Sequence, residues 1–137
     1  MKHHQIDRRA LLKCAGAFAS AMLWPGVLFP QAPKLRVTGI ELLPVRATER
    51  TVWLFVRLKT DAGLTGLGEA SDAFGFANTT KENAAAMEAE LRAFFRLIED
   101  KSPLDIEAYL QLGETRARTG LVAATAYSAI EQALWKV

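Results

Sequence analysis

The sequence predicts an α+β fold, a three-stranded antiparallel meander followed by a helical bundle. The first observation is that apolar and polar residues alternate in three runs between Lys34 and Ala70. The second is that the apolar period changes from two to 3.6 after Asn78 and stays helical to Val137. Strands that precede helices in this way indicate helices packed on one face of a sheet, in one domain that spans 34–137.

Three strands account for the alternating part of this domain. We predict them at Lys34–Arg46, Thr51–Thr60 and Leu64–Ala70. The second strand alternates most clearly, and its two faces are Val52, Leu54, Val56 and Leu58 on one side and Trp53, Phe55, Arg57 and Lys59 on the other. Gly66 and Gly68 lower the strand propensity of the third strand, so they predict either the close approach of another backbone or a bulge.

Three helices follow. The first is predicted to begin with a capping box, with Thr79 at the N-cap and Glu82 three residues later. The second is predicted to start at Ser102–Pro103 and to end at Gly113 or in the polar run after it. The third is predicted to open at Thr119–Gly120. The apolar stripes are Met87, Leu91, Phe94, Phe95 and Ile98 on the first helix, and Val122, Ala126, Ala129, Ile130, Ala133, Leu134 and Val137 on the third.

Charge argues against a nucleic-acid-binding domain. The first 32 residues hold four basic residues and one acidic residue, and the rest of the chain holds 13 basic and 14 acidic residues, so the net charge of +2 comes from the first 32 residues. A basic face is therefore not expected on the folded part, and no nucleic-acid partner is predicted. The single cysteine, Cys14, also lies in these first 32 residues, so the domain that follows forms no disulfide.

The leader, residues 1–33, has the order of an export signal. Arg8 and Arg9 precede a largely apolar run, Cys14–Phe29, and the Arg pair resembles the pattern of twin-arginine signals. The run is shorter than the ~20 residues that a membrane-spanning helix prefers. We therefore predict a periplasmic or exported protein, with a membrane anchor if the leader stays uncleaved. A buried N-terminal helix with a chance Arg pair is the alternative.

Three segments carry a resemblance to a known family. They are Ile40–Val45, then Phe55–Ala70 with its Thr-Asp-Ala-Gly turn, and the final helix Ala126–Val137 with Ser-Ala-Ile-Glu-Gln-Ala-Leu-Trp. In this order they resemble the N-terminal capping domain of the mandelate racemase/muconate lactonizing branch of the enolase superfamily. Lys136 departs from the pattern, because the family usually has Asp there.

The resemblance implies that the chemistry lies outside this chain. In the family, a Mg2+ ion held by three carboxylates on a (β/α)8 barrel stabilises the enediolate formed when a proton α to a carboxylate is removed. A barrel alone needs about 200 residues or more, so 137 residues cannot hold both domains. We expect no catalytic residue, metal ligand or cofactor in this chain, which would be a capping domain truncated before its barrel and inactive alone. Glu69, Ser128 and Glu131 are interpreted as structural.

What a cap contributes is contact with the substrate, a carboxylate-bearing small molecule in a complete enzyme. Two loops that close over the barrel mouth correspond here to Ala47–Arg50 and Ser71–Asn78. We predict substrate contacts from Glu49 and Arg50 in the first loop and from Phe74 and Phe76 in the second. Burial of either Phe in the core, or a solvated Arg50, is the alternative for these side chains.

Two other functions stay open. One is a non-catalytic exported module for interaction or oligomerisation, and the other is a small exported α+β domain unrelated to the superfamily. A cap without its barrel would expose Trp135, Val137, Phe74 and Phe76. We therefore expect a partner, which is either a barrel supplied in trans or a second copy of the chain.

Overall fold

The sheet is an antiparallel meander with the strand order β1-β2-β3. The computed structural model describes residues 34–49, 51–74 and 80–137, and 34–137 form one unit. The strands are β1 (Val37–Arg46), β2 (Val52–Thr60) and β3 (Thr65–Glu69). Gly63, with a φ of 76°, lies in the tight turn between β2 and β3, where a glycine avoids the steric cost of a positive φ.

The two faces of the sheet differ as the alternation of β2 predicts. The inner face carries Leu54, Val56 and Leu58, which are fully buried. Their β1 partners, Pro44, Leu42 and Ile40, share that face. The outer face, defined by Trp53, Phe55, Arg57 and Lys59 with their cross-strand partners, is more accessible.

Helix α1 (Lys81–Phe95) begins one residue later than predicted. Its N-cap is Thr80, whose hydroxyl accepts a hydrogen bond from the Asn83 backbone N–H at 3.2 Å. Thr79, the predicted N-cap, lies outside the described residues. The predicted capping box is therefore wrong, because the residue three positions after the N-cap is Asn83 and not Glu82. Hydrogen bonds from its own backbone N–H and from the Thr80 hydroxyl lower the pKa of Glu82.

Helix α2 (Ile106–Ala117) corrects the predicted start and decides between the two predicted ends. It starts after Asp105 instead of at Ser102–Pro103, because the Ser102 hydroxyl accepts from the Leu104 N–H at 3.2 Å and closes a separate turn. Gly113 lies inside the helix, which ends in the polar run beyond it. A Cβ at Gly113 would lie 2.6 Å from Cε2 of Tyr127, so the glycine makes room for this ring.

Helix α3 (Leu121–Leu134) follows Gly120, as predicted, and packs on the inner face of the sheet. A Cβ at Gly66 would lie 1.9 Å from the Ala133 carbonyl oxygen, and one at Gly68 would lie 1.9 Å from the Ala129 oxygen. The predicted close backbone approach at the two glycines is therefore confirmed. Alanines on α3 and glycines on β3 let the helix lie directly on the strand.

The part of the chain that the structure describes contains no helix that is both long enough and apolar enough to cross a bilayer.

Candidate functional site

The two loops predicted to touch substrate leave the sheet at the same end. Arg46 pairs with Val52 where the first loop begins and ends, and Glu69, the last residue of β3, pairs with Phe55 nearby. This follows from the meander, because antiparallel strands joined in order place alternate connections at opposite ends of the sheet. The β2–β3 turn lies at the other end.

The first loop is closed by its backbone. The N–H groups of Ala47 and Thr48 donate to the Thr51 carbonyl oxygen at 2.9 and 3.2 Å. The Arg46 guanidinium donates to the Glu49 carbonyl oxygen at 3.4 Å, which leaves the Glu49 carboxylate outside this contact. Glu49 is exposed. It can therefore meet a ligand in front of this end of the sheet.

Hydrogen bonds to β2 fix the start of the second loop. The Ala70 N–H donates to the Leu54 oxygen at 2.7 Å, and the Leu54 N–H donates to the Ser71 hydroxyl at 3.1 Å. A short 3-10 helix, Ser71–Phe74, follows, and Ala73 in it is buried.

The described residues include only some of the predicted site residues. Glu49 and the backbone of Phe74 are described, and both lie in the loops at this end of the sheet. The Phe74 side chain lies outside the described part, as do Arg50 and Phe76. Arg8 and Arg9 of the predicted export signal lie outside it too.

A polar groove of about 340 Å³ lies beside the start of the second loop, between the end of β3 and α3. The Gln132 amide oxygen accepts from the Glu69 N–H at 3.3 Å, and its NH2 donates to the Ser128 hydroxyl at 3.5 Å. Gln132 thus satisfies an edge N–H of β3, and Ser128 is engaged in the same network. The groove is lined by Glu69, Ser71, Ala124, Thr125, Ser128 and Gln132.

Sequence reasoning missed this groove as a unit. Thr125, Ser128 and Gln132 follow one another at helical spacing opposite the apolar stripe of α3, which was the available signal. The groove offers hydrogen-bond donors and acceptors. Both histidines of the chain are in the leader, so the residues described around this groove include no Ser–His pair. The groove is suited to binding a polar group by hydrogen bonds.

Within 34–49, 51–74 and 80–137, no group of three His, Cys, Asp or Glu side chains is arranged to hold a metal ion. The described residues therefore do not fit the Mg2+ ion that the family resemblance implies for a complete enzyme.

Comparison with known proteins places this geometry in a family. Residues 35–137 match the family model described as mandelate racemase / muconate lactonizing enzyme, N-terminal domain. A search of curated proteins finds no match.

Solved structures agree with this match. A Mesorhizobium loti structure named as an unconfirmed dehydratase is 28% identical, with a TM-score of 0.58, over 73% of this chain and 26% of its own. A mandelate racemase/muconate lactonizing enzyme from Jannaschia sp. CCS1 is 26% identical over the same shares, with a TM-score of 0.55. A mandelate racemase/muconate lactonizing enzyme-like protein from Roseovarius sp. TM1035 is 25% identical with a TM-score of 0.54, again over 73% and 26%. The chain thus spans about a quarter of the length of the structures that it matches.

Proposed function

Because the chain belongs to the mandelate racemase/muconate lactonizing enzyme N-terminal domain family, we propose that residues 34–137 cap the active site of an enolase-superfamily enzyme. The observation that carries this proposal is the common position of the two loops at one end of the sheet. Two loops at one end can close together over a pocket, exclude water and touch the far end of a substrate.

The complete enzyme would remove a proton α to a carboxylate with the help of Mg2+. The described cap residues supply no ligand set for that ion, so the ion and the acid/base groups would be held by the rest of the protein. The part of the cap in this chemistry is to shape the pocket for a carboxylate-bearing small molecule. Glu49 and Arg50 would contribute polar contacts, and Phe74 and Phe76 would contribute apolar area.

We further propose that the exposed face of α3 receives the rest of the enzyme. Leu121 near its start and Trp135 just after its end are 63% and 70% exposed. Between them lie the smaller residues Ala124, Thr125 and Ser128, which let another surface approach the helix closely. Covering one large apolar side chain is worth roughly 1.5–3 kcal/mol. The same face would take a partner in trans if the chain works as an interaction module.

We also propose that the protein is exported to the periplasm. Arg8 and Arg9 ahead of an apolar run support delivery to the periplasm through the twin-arginine route. A leader that stays attached would also anchor the protein to the membrane.

A chimera tests the capping function. Residues 34–137 replace the N-terminal domain of the Jannaschia sp. CCS1 protein, and exchange of the α-proton with deuterated water is followed across 2-hydroxy acids and sugar acids. We expect Mg2+-dependent exchange to persist. Glu49→Ala should raise KM about tenfold for an accepted substrate, because a hydrogen bond to a charged group is lost.

The matched control is Glu99→Ala. Glu99 is also an exposed carboxylate, but it lies near the opposite end of the sheet, where the neighbouring Asp100 N–H donates to the Val37 oxygen. It should leave KM unchanged. A folded chimera without exchange, or equal effects of the two substitutions, would contradict the capping proposal.

A further inference from the structure

The pairing of β2 with β3 ends in a pair where a side chain replaces one backbone group. Phe55 pairs with Glu69, so the next pair in this register is Leu54 with Ala70. A regular antiparallel pair of this type exchanges two backbone hydrogen bonds. The Ala70 N–H does donate to the Leu54 carbonyl oxygen at 2.7 Å, but the Leu54 N–H donates to the Ser71 hydroxyl at 3.1 Å. The Ser71 hydroxyl thus takes the place of the Ala70 carbonyl.

This exchange leaves the Ala70 carbonyl available for a different bond. Its oxygen accepts from the Ala73 N–H at 3.5 Å, within the 3-10 helix that begins the second loop. Serine hydroxyls offer backbone groups an alternative to the bonds of regular secondary structure. The Ser71 hydroxyl therefore fixes the residue at which β3 ends and the second loop begins.

Burial makes the contact hard to replace. Leu54 and Ala70 are fully buried, and Ala73 is buried as well. A buried backbone N–H without a partner is costly, so the Leu54 N–H needs an acceptor. Without the Ser71 hydroxyl, the acceptor that the strand geometry offers is the Ala70 carbonyl. If this carbonyl turns to Leu54, β3 gains one residue and the Ala73 N–H loses its bond.

Such a change would act on the second loop and not on the strand before it. The Gln132 amide oxygen holds the Glu69 N–H at 3.3 Å and is independent of Ser71. One residue of added strand shifts the start of the loop by about 3.3 Å. Phe74 and Phe76, which we predict to contact substrate, follow within this loop. A displacement of about 1 Å is already enough to weaken a productive contact.

We propose that Ser71 is a positioning residue for the substrate, because its hydroxyl holds the second loop where the loop can contact a bound molecule. This inference rests on the proposed capping function. Ser71 acts through the loop and does not itself touch the substrate. The acid/base groups would lie in the rest of the enzyme, so a displaced loop weakens the binding of substrate and transition state alike. Loss of the hydroxyl should therefore raise KM and leave kcat unchanged.

The chimera with the Jannaschia sp. CCS1 protein tests this effect on an accepted substrate. Ser71→Ala should raise KM about fivefold and change kcat by less than about twofold, because one hydrogen bond that positions the loop is lost. Ser71→Thr keeps a hydroxyl at the same position, and its KM should stay within about twofold of that of the parent chimera.

The matched control is Ser102→Ala. The Ser102 hydroxyl also accepts from a backbone N–H, that of Leu104 at 3.2 Å. It lies at the other end of the sheet, next to Lys101, whose carbonyl oxygen accepts from the Val37 N–H at 2.9 Å. Ser102→Ala should therefore leave both KM and kcat unchanged.

Amide hydrogen exchange of the 137-residue chain tests the structural step without any activity. In Ser71→Ala the Leu54 amide should stay protected, because it gains the Ala70 carbonyl. The Ala73 amide should exchange about tenfold faster or more, because it loses this carbonyl. Ser102→Ala should leave the exchange of both amides unchanged.

The possible failures can be told apart. A chimera without α-proton exchange would contradict the capping proposal, and the effect on KM would fall with it. An active chimera whose KM is unchanged by Ser71→Ala would overturn only the role of Ser71. Equal effects of Ser71→Ala and Ser102→Ala, or no rescue by Ser71→Thr, would overturn it too, since a general loss of stability would then explain the result. Unchanged exchange at Ala73 would show that the start of the loop does not depend on the hydroxyl.

Discussion

Two tyrosines connect α2 to α3 through reciprocal hydrogen bonds. The Tyr109 hydroxyl donates to the Tyr127 carbonyl oxygen at 2.9 Å, and the Tyr127 hydroxyl donates to the Leu110 oxygen at 2.8 Å. Their rings stack with centroids 5.2 Å apart, and Phe94 of α1 contacts both. Burial is the main cause that raises the pKa of Tyr109 and of Tyr127 above the ordinary value for tyrosine. This cluster therefore connects α1, α2 and α3 through ring contacts and hydrogen bonds.

These are the only two tyrosines of the chain, so their titration can be read directly. We predict that phenolate absorbance appears at a higher pH in the folded protein than in the unfolded chain. In the unfolded chain both tyrosines ionise near pH 10. A raised folded pKa therefore contributes stability that is present below pH 10 and lost as the pH rises above it. Spectrophotometric titration should show a cooperative step that coincides with unfolding by circular dichroism. Smooth ionisation at pH 10 in folded protein would contradict this.

At the scale of elements, β3 and α3 lie in close backbone contact. Its closeness depends on the absence of a side chain at Gly66 and Gly68, since a Cβ would lie 1.9 Å from a helix carbonyl oxygen. The obstacle is backbone, which no rotamer change can move. The position of α3, and with it the polar groove at Glu69, therefore depends on these two glycines.

Substitution of these glycines tests the contact. Gly68→Ala should destabilise the protein by roughly 1–3 kcal/mol or more, because an added methyl group forces the helix away from the strand. Gly39→Ala is the control: a Cβ there meets only the Lys59 side chain, at 3.7 Å. It should change the stability by about 1 kcal/mol or less. Urea unfolding of both variants measures the difference, and equal losses would show that β3 and α3 are less closely packed.

At the scale of the whole molecule, the chain joins a leader with a basic excess to a capping domain with a slight acidic excess. Twin-arginine export, as we propose it for this protein, would act after folding and would link the leader and the fold in function. In the complete enzyme, this route would let the cap and the metal-holding part assemble before export.

Fractionation of cells tests the route. Arg8→Lys with Arg9→Lys keeps the charge but removes the Arg pair, and we predict that the protein then stays in the cytoplasm. Lys2→Ala is the control, because it removes one charge and keeps the pair, and its export should be normal. A double variant that reaches the periplasm at the usual level would indicate another route or no signal.

The fold could be predicted because its main signals are local. The alternation of β2 assigned Leu54 and Trp53 to opposite faces, and the break at Gly120 located the start of α3. Helix starts were less predictable: Thr79 and Thr80 offer the same hydroxyl, and Ser102 forms a turn as readily as a cap. The position of the two loops at one end of the sheet could be predicted from the order of the strands alone. The placement of the side chains in the second loop has no such local signal.

By itself, the sequence determined the order of the elements, the two faces of the sheet and membership of the family, because periodicity and turn chemistry act between near neighbours. Only the tertiary structure decided which residues of those elements contact one another when they are far apart in the sequence. Gly113 ends helices by propensity, yet it lies inside α2 because Tyr127 needs its space. The bond from Glu69 to Gln132 joins residues 63 positions apart, and no local pattern carries information over that distance.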